Sequence, residues 1–350
     1  MWDLEDLGWD AFFAERFRDH GARGCAPGRV ASAEREVYEV WTAAGPVRAE
    51  PAGRLRHGAS RSGGLPAVGD WVAVRADPAG GAATVVDVLP RKGAFCRKRA
   101  GDETREQVVA ANVDTLFLVC GLDRDFNPRR IERSLVLAWE SGAAPVLLLN
   151  KADACADLEA RLNDARLAAP SVSIHVVSAL VGTGLDGLAP YLARGRTVAL
   201  LGSSGVGKST LVNRLVGREL QTTRDVRARD GRGRHATTRG ALFRLAGGAL
   251  LLDTPGWREL QLWADSAGLD HAFEDVAELA ALCRFRDCAH GQEPGCAVRG
   301  MLDEDRLRSF RKLQAEVRSL AARRDDRARS EAKARLRSIH KQARRFRPRD

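Results

Sequence analysis

The sequence predicts a multidomain protein with an N-terminal β-barrel, a central α/β core and a C-terminal, mainly α segment. Three observations predict this. Short β-type runs broken by Gly and Pro fill the region from about Arg29 to Arg99. Apolar strands alternate with helical segments from Val113. Three cysteines and a histidine then cluster where the strands have stopped. At 350 residues the chain exceeds one ordinary core, and two or three domains are expected.

Within the first region, Val37 to Trp41, Asp70 to Val74 and Thr84 to Val88 read as strands, separated by turn signals at Pro51, Pro66, Gly69 and Pro78. Such spacing suggests a small closed sheet, of which the five-stranded OB barrel is one candidate. From Val113 onward, Asp114 to Gly121, Pro145 to Asn150, Ile174 to Ser178, Thr197 to Gly202, Ala241 to Leu245 and Ala249 to Asp253 read as strands. Pro128 to Ser141 reads as a helix, and another opens at Lys208. That alternation implies a mostly parallel sheet covered on both faces. After about Leu269 only helices are expected, and Leu307, Phe310, Leu313, Val317 and Leu320 recur at the spacing of one buried helical face.

Composition excludes several classes. No run approaches the roughly eighteen apolar residues of a membrane-spanning helix, and the opening Met1 to Asp6 is acidic where a signal peptide would be basic, so a soluble, cytoplasmic protein is expected. Cys25, Cys96, Cys120 and Cys155 are scattered and the total of seven is odd, which favours reduced thiols over a disulfide framework. The net charge of +10 is uneven. Residues 323–350 hold twelve Arg or Lys against four Asp or Glu, whereas the first twenty-two are net acidic. The basic end suits a polyanion partner and equally reads as a solvated Arg-rich terminus.

Gly202-Ser203-Ser204-Gly205-Val206-Gly207-Lys208-Ser209 matches the P-loop pattern, between an apolar strand and the helix starting with Thr210. Its glycines let backbone N–H groups curl around a β-phosphate. Lys208 reaches the β and γ oxygens, and the Ser209 hydroxyl can ligate magnesium. The base is indicated elsewhere. Asn150-Lys151-Ala152-Asp153 follows a strand and resembles the guanine-recognition motif of GTPases, whose carboxylate accepts from guanine N1–H and the exocyclic amine. Ser178-Ala179-Leu180 resembles the companion loop whose backbone N–H meets guanine O6.

Asp253-Thr254-Pro255-Gly256 completes the set, supplying an Asp to the magnesium shell and a Gly N–H to the γ-phosphate. The magnesium threonine of the first switch is expected at Thr238, with Thr237 as the alternative. Ras-like GTPases run P-loop, switch threonine, Asp-x-x-Gly, Asn-Lys-x-Asp, Ser-Ala; in this chain the last two come first, so the core is circularly permuted. Permutation is tolerated because chain ends of a compact domain commonly lie close together. Trp257 stands where Ras-like enzymes carry the glutamine that orients water, so either His235 or a partner must do so, and hydrolysis in isolation should be slow.

Cys283, Cys288, His290 and Cys296 offer three thiolates and one imidazole within fourteen positions, with Pro294-Gly295 turning the chain back, as a closed tetrahedral zinc site requires. Four protein ligands leave no open position, so the zinc is expected to be structural.

On these residues, together with Gly69-Asp70-Trp71-Val72 and Ala110-Ala111-Asn112-Val113-Asp114, the chain resembles the RsgA (YjeQ) family of circularly permuted GTPases dependent on the small ribosomal subunit. The resemblance implies an OB barrel, a permuted GTPase core and a zinc domain, acting late in small-subunit maturation with rRNA as the main partner. It also implies a catalytic histidine at His235, and it departs from the family at Ala236, where a threonine is common. The expected divisions are an N-terminal extension over 1–27, an RNA-binding OB domain over 28–105, the GTPase core over 106–268 and a zinc-binding helical domain with a basic tail over 269–350. GTP with Mg2+, one Zn2+ and a monomeric chain are expected. Two alternatives remain, a permuted GTPase acting on the large subunit and an ATP-using P-loop enzyme with an accessory zinc module; the latter leaves Asn150 to Asp153 and Asp253 to Gly256 as accidents.

Overall fold

Five short strands rich in Val, Ala and aromatic residues make the first layer: β1 (Ala26–Glu34), β2 (Val37–Thr42), β3 (Gly45–Pro51), β4 (Trp71–Arg75) and β5 (Ala83–Val88). They pair in the order β1-β2-β3-β5-β4, and β4 returns to β1, which closes the barrel. Only the β3–β5 pair is parallel. Alternate side chains, including Val30, Val40, Ala49, Val72, Val74 and Val85, fill the interior. The computed structural model describes residues 2–34, 36–56, 64–99, 102–217, 240–253, 262 and 267–323. The chain divides into two compact units, Met1–Lys98 with Arg105–Gln261, and Arg99–Thr104 with Leu262–Asp350.

The acidic N-terminal stretch packs on the barrel. A 3-10 turn at Glu5–Leu7 leads to α1 (Ala11–Ala22), whose Asp10 N-cap carboxylate accepts from the N–H groups of Phe12 and Phe13. Leu7 and Phe13 are buried, and Trp9 meets the buried Trp71 edge-on at 4.7 Å.

A hairpin of β6 (Ala94–Arg99) and β7 (Asp102–Ala111) leads into the α/β core. This comprises β8 (Thr115–Gly121), α2 (Pro128–Glu140), β9 (Ala144–Asn150), α3 (Leu158–Ala168), β10 (Ser173–Val176), β11 (Thr197–Leu201), α4 (Lys208–Val216), β12 (Ala241–Arg244) and β13 (Leu250–Asp253). The strand order is β10-β9-β8-β11-β13-β12, parallel except for β12. Near-continuous apolar runs such as Leu116 to Val119 are buried because helices cover both faces of a parallel sheet. The parallel strands bring their carboxyl ends to one edge, where such sheets bind ligands.

Arg29 joins barrel and core. Its guanidinium is buried and donates to the carbonyls of Leu7, Gly69 (3.3 Å) and Asn112 (3.0 Å). Burial lowers its pKa to about 10, which leaves it charged at neutral pH. Asn112 takes φ +56° and returns a hydrogen bond from Nδ2 to the Gly69 carbonyl. At Gly69, with φ +88°, a Cβ would lie 2.2 Å from the Ala111 carbonyl oxygen, so glycine is required. The two segments quoted for the family resemblance thus meet at one junction, and Ser32 pairs with Ala241 to run barrel and core into one sheet.

The second unit contains α5 (Ala267–Ala272), α6 (Glu274–Ala280), α7 (Ala297–Met301) and α8 (304–323). Leu307, Phe310, Leu313 and Val317 of α8 are buried, as their spacing predicts, and Leu320 is half-buried. Phe310 meets Phe273 edge-on at 5.3 Å, and buried Arg306 grips Asp275 through two bonds of 2.5 and 2.7 Å. No described helix is long and apolar enough to cross a membrane.

Candidate nucleotide site and metal centre

The P-loop leaves β11 at Gly202 and enters α4 at Lys208. Gly205 and Gly207 hold φ values of +82° and +97°, which side-chain-bearing residues rarely adopt. A Cβ at Gly207 would also lie 2.3 Å from the Asn150 amide nitrogen. Lys208 Nζ folds over the loop and donates to the carbonyls of Gly202 (2.7 Å) and Ser203 (2.6 Å). Val206 is buried, while Ser204 is exposed and Ser209 and Thr210 are half-buried at the start of α4. The free N–H groups of the first turn of α4 open toward the loop, as at any helix N-terminus.

Asn150 ends β9, and its buried carboxamide spans two loops. Nδ2 donates to the Val206 carbonyl at 2.7 Å, and Oδ1 accepts from the Ala179 N–H at 2.9 Å. The next residue, Lys151, has φ +68° and pairs with Asp123 at 2.5 Å. Burial works against ionisation of Asp123, yet the Lys151 hydrogen bond holds its carboxyl below the ordinary value. The Ser178 hydroxyl donates to Asp153, fixing that carboxylate beside the Ser178-Ala179 loop. Arg214 of α4 donates to the carbonyls of Ala179 (3.2 Å) and Leu180 (2.6 Å), so the P-loop helix braces the same loop. Asp253 ends β13 beside β11, since Leu252 pairs with Ala199 one residue earlier.

Structure thus gathers Asn150, Lys151, Asp153, Ser178, Ala179 and the segment Gly202 to Thr210 along one sheet edge, with Asp253 on that edge. His235, Thr238, its alternative Thr237, Gly256 and Trp257 lie outside the described residues. Sequence reasoning missed Asp123, Asp125 and Arg130. Asp125 accepts from Ser203 Oγ and from Arg130 (2.7 Å), and these two donors hold its carboxyl below the ordinary value, Arg130 foremost. Their signal was available in Asp123-Arg124-Asp125 directly after a buried strand, where ligand-facing polar groups gather.

The cysteine cluster assembles as its spacing predicts. The ligand atoms of Cys283, Cys288, His290 and Cys296 all lie within 4.8 Å of one another. Cys283 and Cys296 Sγ are 4.0 Å apart, and each is 3.7 Å from His290 Nδ1. Tetrahedral zinc, with Zn–S about 2.3 Å and Zn–N about 2.0 Å, needs S···S near about 3.8 Å and S···N near about 3.5 Å, so the donor set fits. Burial lowers the His290 pKa, favouring the neutral, ligating imidazole. His290 sits at φ +58°, and Glu293 accepts from the N–H groups of Ala289 and Gly291, fixing the turn that aims the ring.

A P-loop on a mostly parallel sheet, preceded rather than followed by the Asn150 and Ser178 loops and succeeded by Asp253, defines the class, a circularly permuted P-loop GTPase. The RsgA GTPase family model matches residues 88–263, and the chain belongs to that family. It is 49% identical over 337 residues to the small ribosomal subunit biogenesis GTPase RsgA of Opitutus terrae, covering 92% of each chain. The protein of that name from Syntrophotalea carbinolica is 44% identical over 360 residues, covering 99% of this chain and 98% of its own. Among solved structures, YjeQ from Thermotoga maritima superposes with a TM-score of 0.63 at 26% identity, over 84% of this chain and 98% of that one.

Proposed function

We infer that the chain hydrolyses GTP to GDP and phosphate, is stimulated by the small ribosomal subunit and acts in its late maturation. One observation carries this reading: Asn150 bridges the P-loop and the Ser178-Ala179 loop, as a guanine nucleotide site demands. Relatives bearing the name small ribosomal subunit biogenesis GTPase support the choice of subunit.

In the proposed site Asp153 accepts from guanine N1–H and the exocyclic amine, flanked by Lys151, and a backbone N–H of the Ser178-Ala179 loop meets O6. The segment Gly202 to Thr210 cradles the phosphates, with Lys208 on the β and γ oxygens. Ser209, Thr238 and Asp253 would hold magnesium, which supplies charge neutralisation between the phosphates when bound. Gly256 donates to the γ-phosphate, and His235 orients the attacking water in place of the glutamine that Trp257 displaces. Cys283, Cys288, His290 and Cys296 hold one structural zinc. The OB barrel and basic C-terminal tail contact rRNA, the protein works as a cytoplasmic monomer, and the functional domains divide as 28–105, 106–268 and 269–350 after an extension over 1–27.

The test is Asp153→Asn, which turns one acceptor of the guanine edge into a donor. GTP binding should weaken sharply and preference should move toward xanthosine triphosphate, measured by competitive titration. Unchanged GTP affinity would contradict the assignment.

A further inference from the structure

Arg23, Arg54 and Arg75 converge on one cavity in the barrel wall. It encloses about 340 Å³ and is also lined by His20, Cys25 and Thr84. Strand alternation explains its position. Val85 of β5 is buried in the barrel, so Thr84 and Val86 on either side face outward. Arg75 closes β4 directly opposite Thr84, Arg54 follows β3, and α1 ends at Ala22 so that His20 and Arg23 overhang the same wall.

The charges there lack an internal purpose. Among the described residues no ion pair engages Arg23, Arg54 or Arg75, and Arg54 donates to the Val86 carbonyl at 3.3 Å. Arg56, two residues on, is by contrast tied to Glu36 and Glu50 at 3.1 and 3.4 Å. Asp87, which is not among the lining residues, places its carboxylate 3.6 Å from His20. Three guanidiniums gathered around a concavity repel one another, and a bound anion reverses the sign of that interaction. The planar fork of arginine matches phosphate oxygens in pairs. All three arginines are exposed, which suits a polymer backbone crossing the wall better than a small molecule enclosed on most sides.

We propose that this cavity is a phosphate site that grips the backbone of an RNA strand, separate from the β2–β3 face through which OB barrels commonly bind single strands. It rests on the reading of this chain as an rRNA-contacting GTPase, and it places in that contact the end of α1, within a twenty-two-residue stretch that is net acidic as a whole. None of its lining residues belongs to the segments that carry the nucleotide motifs.

The test uses the full-length protein and the triple variant Arg23→Gln/Arg54→Gln/Arg75→Gln, binding to small ribosomal subunits and to a single-stranded RNA oligonucleotide across a salt series. The variant should bind RNA about tenfold more weakly or worse, with a log–log salt slope shallower by about 0.7 for each phosphate lost. Its GTP turnover without ribosomes should equal that of the wild type. Arg23→Gln alone, at an exposed position beyond α1, should still lower the slope should the triple variant fold poorly. Wild-type binding with the same slope in both variants would overturn the cavity site alone. Wild-type protein that binds neither RNA nor small subunits would overturn the ribosomal reading and the cavity site with it. If inorganic pyrophosphate stabilises the wild type but not the variant while RNA affinity is unchanged, the cavity takes small phosphates and the RNA assignment is overturned.

Discussion

The Asn150 carboxamide donates to the Val206 carbonyl 2.7 Å away, so the end of β9 is fastened directly to the P-loop segment. The same side chain accepts from the Ala179 N–H, and the two bonds fix the distance between the two halves of the nucleotide site. In the permuted chain Asn150 and Val206 are 56 residues apart, and this contact does the work that chain order does not.

Asn150→Ala should therefore damage affinity as well as stability. Losing the carboxamide leaves a buried carbonyl and a buried N–H unpaired, at about 1–3 kcal/mol each. Part of that falls on the nucleotide complex, giving a loss of about tenfold to a hundredfold in GTP affinity. Titration with a fluorescent GTP analogue measures it, and an affinity equal to the wild type would show that the bridge does not shape the site.

Arg29→Met should loosen the junction between barrel and core. The substitution strips the donor from the Leu7 and Asn112 carbonyls and one of two donors from Gly69, with a buried-group cost of about 1–3 kcal/mol each. Several kcal/mol should be lost, seen as a lower urea midpoint. Arg29→Lys should recover only part, because one ammonium cannot span three carbonyls. A midpoint unchanged in Arg29→Met would contradict the account of this junction.

Purified protein should contain about one zinc per chain. Cys288→Ala should release it and unfold the residues around the cluster while GTP binding persists, because the nucleotide loops belong to the other compact unit. Metal analysis with limited proteolysis reads both effects. A folded, metal-free wild type would remove zinc from the account.

How much of this could be seen in the sequence depended on how local the information was. The P-loop, Asn150 to Asp153 and the cysteine cluster were legible because each is a short run whose chemistry dictates its residues, and their strand and helix settings followed from apolar periodicity. Strand β1 was not: Ala26-Pro27-Gly28 carries breakers, and its conformation comes from pairing with β2 and β4 on both sides. Strand β3, with Pro46 and Pro51, was hidden for the same reason. Arg29 looked like any surface arginine, since only the closed barrel buries it. Arg130 gained meaning only when α2 brought it against Ser203 and Asp125.

The most direct test of the central claim is multiple-turnover phosphate release from GTP, measured for the protein alone, with purified small subunits and with purified large subunits. Trp257 in place of a water-orienting glutamine predicts a slow rate alone. Small subunits should raise that rate by well over about an order of magnitude, the scale on which a partner's positioning acts in related phosphoryl transfers, and large subunits should not. His235→Ala should bind GTP and the small subunit yet lose most of the gain. Equal stimulation by both subunits, or a fast rate with no ribosome present, would contradict the account.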